Sequence, residues 1–138
     1  MANETNSVAL LRIVLRVLGC LDMLAFAVVV MPTAWIAAAH QWSGLGEFPD
    51  APIASYLARS ASALYALHGA MVLYMSFDVR RYWSLIRLLA SLALLHGVVL
   101  LGIDFAVGMP TWWLLLEGPA FAASGVLVLA AQALCKSE

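Results

Sequence analysis

Four apolar runs constrain this chain more than any other feature: roughly Val8 to Met31, Ile53 to Ser76, Trp83 to Val107 and Thr111 to Leu134. Each is longer than the ~20 residues that carry an α-helix across a hydrocarbon core of about 30 Å. A transmembrane barrel would instead need alternating segments of about 10 residues with turns between them, and that period is absent. With 64% hydrophobic and 11% charged residues, the 138-residue chain has too little charged surface to coat a soluble globule. The pattern predicts an all-α fold, a four-helix transmembrane bundle forming one integral membrane domain over residues 1–138. No basic stripe with interleaved aromatics points to nucleic acid.

Charge placement sets the expected orientation. Six of the seven basic residues, Arg12, Arg16, Arg80, Arg81, Arg87 and Lys136, fall at one end of these runs. The opposite loops, 32–52 and 108–110, hold Glu47, Asp50 and His40 but no Lys or Arg. The positive-inside rule then places both termini in the cytoplasm, with a bacterial inner membrane as the location. Arg12, Arg16 and the small residues Ala37 to Ala39 resemble a cleavable signal. The first run is nonetheless read as retained, because Asp22 interrupts it and its removal would leave the termini on opposite sides.

Pro32 to Trp42 keeps helical composition before Gly44-Leu45-Gly46 stops it, which predicts a short interfacial helix between the first two spans. Asp50-Ala51-Pro52 reads as the start of the second span, with Asp50 as its N-cap.

Arg59 is the one arginine outside the basic end, and it lies inside an apolar segment. In the second span Ser55, Arg59, Ser62, Ala66 and Gly69 recur at steps of 4, 3, 4 and 3, a small and polar stripe against which another helix can approach closely. Counterparts are Ala90, Ala93, Gly97, Asp104 and Gly108 in the third span, and Glu117, Phe121, Ser124 and Val128 in the fourth, with Gly118 and Gly125 alongside. Leu15, Gly19, Asp22, Phe26 and Val29 form the stripe of the first. At 1.5 Å per residue, Arg59 is about 10 Å below the outer edge, Asp104 about 5 Å, Glu117 about 9 Å and Asp22 about 14 Å. Intramembrane charges are costly, so these groups should point inward and pair. The expected site is an Arg59 contact with Glu117 or Asp104, with Asp22, Tyr65 and His96 deeper. One arginine cannot neutralise three carboxylates, which leaves a deep carboxyl to be protonated, bonded to Ser62, Tyr65 or His96, or paired with a bound cation. Pro119, after Glu117-Gly118, is expected to bend or open the fourth span.

Other chemistries find little support. His68 and His96 each precede a glycine, yet their depths differ by about 7 to 8 Å in antiparallel helices, which disfavours haem ligation between them. A hydroxyl or carbonyl partner is expected for a buried histidine here. Cys20 and Cys135 differ in depth and form no CxxC, so no disulfide or thiol redox centre is expected, and no spacing makes a zinc site. No cofactor is expected.

In size and span count the chain resembles the small DoxX-like inner-membrane proteins, a likeness of topology that carries no functional residue across. It is also similar to the small multidrug-resistance transporters, where Asp22 would match their membrane-embedded carboxylate. The one-sided charge departs from subunits that insert both ways. The functional expectation is binding of a small molecule or a partner membrane subunit through an outward-facing polar site, with a homo-oligomer as another form of partner. A proton-coupled transporter comes second and an enzyme acting on a lipid-soluble substrate third.

Overall fold

A computed structural model describes the backbone of residues 2–136 and the side chains of residues 6–135. Among the described residues the secondary structure is entirely helical: α1 (Ala2–Met23), α2 (Phe26–Val30), α3 (Thr33–Trp42), α4 (Pro52–Phe77), α5 (Trp83–Val107) and α6 (Thr111–Lys136). Three stretches, Asn6–Val30, Trp83–Val107 and Thr111–Cys135, are long and apolar enough to cross a membrane. α4 is as long, at 26 residues, but more polar, because it carries Arg59, His68, four serines and three tyrosines. Large apolar side chains face outward along the helices: Leu64 is 68% exposed, Phe105 79% and Leu115 68%. Such surfaces suit hydrocarbon, where apolar burial gives no net gain and helices associate through close packing.

The chain divides into two compact units. In the first, residues 1–18 and 72–138, α5 and α6 form an antiparallel hairpin. Small residues set their spacing: a Cβ on Gly125 would stand 2.8 Å from the Leu94 amide nitrogen, and one on Gly118 would stand 2.6 Å from the Gly97 carbonyl oxygen. Gly97 meets Gly118 and Ala122 from the other side. The α5 stripe expected from sequence is thus buried at Ala90, Gly97 and Asp104, while the α6 face is centred on Gly118, Gly125 and Val128. α5 ends at Gly108 with φ 74°, where the Met109 amide donates to the Asp104 carbonyl at 2.9 Å, an αL cap that closes the turn to α6. Leu11, Leu15, Met75, Val79, Ile86 and Val128 belong to one apolar core in this unit.

Pro119 does not open α6, which runs through it from Thr111 to Lys136. The loss is confined to one amide donor and to the exposed side of the helix.

The second unit, residues 19–71, holds the surprise in the first span. Regular α-helical hydrogen bonding is interrupted at residues 24–25, where Ala25 keeps helical φ −58° and ψ −24° and the bonds tighten from i−4 to i−3: Leu24 to Leu21 and Ala25 to Asp22, both 3.1 Å. No proline or glycine stands between residues 23 and 26, so local propensity does not dictate the break. It lies just past the point where α4 comes closest, since a Cβ on Gly69 would stand 2.7 Å from the Gly19 carbonyl oxygen and 2.8 Å from the Asp22 Cβ. Past the break the expected stripe is lost, and Phe26 is exposed. The expected helix after Pro32 is present as α3, and α4 starts at Pro52, one residue from its sequence-based boundary.

Candidate functional site

α4 lies antiparallel to the second half of the first span, with Arg59 and His68 reaching across on either side of the small-residue stripe. They are nine residues apart, about half a turn out of phase at 3.6 residues per turn.

Arg59 closes the end of α2. Its Nη1 donates to the carbonyls of Val29 at 2.6 Å and Val28 at 3.3 Å, and its Nη2 to the Met31 carbonyl at 2.8 Å and the Thr33 hydroxyl at 3.2 Å. Nε donates to the Ser55 hydroxyl at 3.3 Å. These five bonds match the five N–H donors of a guanidinium. The last carbonyls of a helix have no intrahelical partners, Pro32 has no amide to offer, and a cation at a helix C-terminus is favoured by the helix dipole. The acid partner expected for Arg59 is therefore replaced by main-chain carbonyls, and the residue is a clamp rather than a charge awaiting a ligand.

The remaining expected site residues each have surroundings of their own. The Glu117 carboxylate accepts a very short hydrogen bond from the Trp113 indole one turn earlier. Asp104 is 5% exposed, and its Oδ2 has no hydrogen-bond partner among the described residues. His96 is exposed, its ring edge-on to Phe121 at 5.1 Å. Tyr65 is half-buried on α4.

Asp22 does find a partner, and it is the histidine that sequence reasoning set aside. His68 Nδ1 lies 2.8 Å from Asp22 Oδ2, with the side chains 36% and 26% exposed. With the proton on Nδ1 the imidazole donates to the carboxylate. A second proton on Nε2 converts the hydrogen bond into an ion pair. The pair stands immediately before the helix break, next to the Gly19 and Gly69 contact. Depth counting missed it because it set the outer ends of the two helices level, placing His68 about 9 Å below Asp22. In the structure Arg59 stands opposite Val29, so the first turns of α4 run past the end of α2. Sliding the two helices until each polar side chain found a partner would have exposed the pairing.

Among the described residues no three His, Cys, Asp or Glu side chains converge to hold a metal. No protein-family model, no curated protein and no solved structure matches the chain.

Proposed function

We propose that this chain is a four-span protein of the bacterial inner membrane, with cytoplasmic termini, that binds a small molecule within the bilayer and couples that binding to a proton on the Asp22–His68 pair. α4 serves as the fourth span, its 26 residues long enough to cross and its Arg59 and His68 engaged by contacts with the first span. The topology-level likeness to DoxX-like proteins belongs to the same proposal.

The observation that carries the reading is the 2.8 Å contact between Asp22 and His68 beside an interrupted helix. Ionisable groups inside a span are costly, and where they persist they mark ion or proton pathways. Asp22 is about 12 Å from the outer end of its span, which puts the pair well within the hydrocarbon. The partial exposure of both side chains leaves room for a ligand to displace one partner from the other.

Infrared difference spectroscopy of the purified protein between about pH 5 and pH 8, the range where histidine titrates, tests the reading. Wild-type protein should show coupled carboxylate and imidazole bands, the carboxylate band lost and the imidazole band shifted in Asp22→Asn, and the carboxylate band altered in His68→Gln. A spectrum in which Asp22→Asn changes nothing would overturn the proton-linked role.

A further inference from the structure

Five of the chain's six arginines remain outside the site just described, and they crowd one end of the first unit. Arg12 and Arg16 follow Leu11 and Leu15, Arg80 and Arg81 follow Val79, and Arg87 follows Ile86. Leu11, Leu15, Val79 and Ile86 all belong to one buried core, so each of the five arginines adjoins that core in sequence. The geometry tightens this. The Arg16 guanidinium lies 5.6 Å from the centroid of the Phe77 ring, and Phe77 is the last residue of α4. Arg16 is thereby level with the turn that carries Arg80 and Arg81. Arg87 is one helical turn into α5.

Among the described residues these cations have no carboxylate partner. Asp78, in the same turn as Arg80 and Arg81, accepts the Arg81 main-chain amide. Arg16, Arg80, Arg81 and Arg87 are exposed, while the Nε of Arg12 is buried with no partner. Arg81 stacks on Tyr82 at 5.5 Å, and Tyr82 in turn lies 5.4 Å from Tyr74. An aromatic ring under a guanidinium fixes its plane and leaves its N–H edge free to bind. Tyr82 and Trp83 pack against the core at the same end, the residue types that sit at headgroup depth.

We infer that this arginine-rich end is a binding site for the phosphodiester head group of an anionic phospholipid. The guanidinium fork matches two phosphate oxygens, and four exposed forks around one core can grip more than one phosphate where an ammonium would act only as a point charge. A zwitterionic head group brings its own cation into the patch and is disfavoured. Arg59 stays outside the site because its five donors are committed to carbonyls and hydroxyls. The inference is independent of the proton-linked reading, since it concerns other residues and another end of the helices.

Native mass spectrometry of the full chain in mild detergent, with phosphatidylglycerol and phosphatidylcholine supplied at equal concentration, provides the test. Wild-type protein should retain phosphatidylglycerol selectively. A basic residue near an anionic surface contributes about fivefold in binding, so Arg80→Gln/Arg81→Gln should lower retention by about 25-fold with the helical circular dichroism unchanged. Arg80→Lys/Arg81→Lys should recover part of it. Equal retention of the two lipids, or undiminished retention in the folded double glutamine variant, would overturn the site. Should that variant fail to fold, salt titration of the wild type decides: retention of phosphatidylglycerol that is indifferent to ionic strength also overturns it.

Discussion

Replacing Arg59 is the sharpest test of how the second unit is held together. Arg59→Ala removes all five hydrogen bonds and leaves the carbonyls of Val28, Val29 and Met31 without a donor. Hydrogen bonds to a charged group contribute about 1.5 to 3 kcal/mol each in soluble proteins, whereas interhelical bonds in membranes average about 0.6 kcal/mol. Two of the five are shorter than 3 Å and the others are 3.2 Å or longer, so the short pair should dominate. The sum comes to about 3 kcal/mol, reduced to the extent that water reaches the carbonyls from the outer end. Arg59→Lys keeps the charge at the helix end but can reach only one or two carbonyls, which predicts recovery of about half. The assay is reversible unfolding in detergent micelles with a steric-trap or denaturant readout, comparing Ala, Lys and Gln at position 59. Thr33→Val in each background adds a coupling energy, expected at about 0.5 kcal/mol and absent when residue 59 is Ala. If Arg59→Lys were indistinguishable from wild type, or Arg59→Ala cost less than about 0.5 kcal/mol, the clamp would have no energetic content.

The close approaches make a second set. Gly69→Ala and Gly97→Ala should each destabilise by about 1 to 3 kcal/mol, because backbone atoms occupy the space of the new methyl, while Gly102→Ala, which meets open space, should be neutral or slightly stabilising in the same unfolding assay. Tyr82 lies in the turn between α4 and α5, and its hydrogen bond with Tyr74 foremost, then burial, hold its hydroxyl proton above the usual tyrosine range. Its contribution to stability is therefore fully present below the unfolded-state value near about pH 10 and is lost as pH rises through the higher folded value. A tyrosinate absorbance titration should show one late group that Tyr74→Phe moves to lower pH. Reporter fusions after Arg81 and after Lys136 should be active in the cytoplasm and one at Gly46 outside it; the reverse pattern would refute the topology.

Length and hydropathy determined the helical character of the chain and most helix ends, because membrane passage demands long runs of apolar residues with every backbone group satisfied internally. The turn at Gly108, the α3 segment after Pro32 and the α4 start at Pro52 carry local signals, a glycine able to take positive φ and prolines that fix entry, and each was legible before any tertiary contact was known. The buried stripe of α5 was legible too, since Ala90, Gly97 and Asp104 repeat at seven residues. What the sequence could not disclose was register. Sliding one antiparallel helix past another costs no local term, so nothing in the order of residues says that Val29 rather than a carboxylate faces Arg59, or that His68 meets Asp22. The tightened turn at residues 24–25 is invisible too: it occurs in Met23-Leu24-Ala25-Phe26, a run with no breaker, next to the close Gly19–Gly69 contact and the Asp22–His68 pair. Arg59 stands out in the sequence as the one arginine away from the basic end and inside an apolar segment, but its main partners are backbone oxygens, which every residue carries and which leave no mark in a sequence until the fold leaves them unpaired.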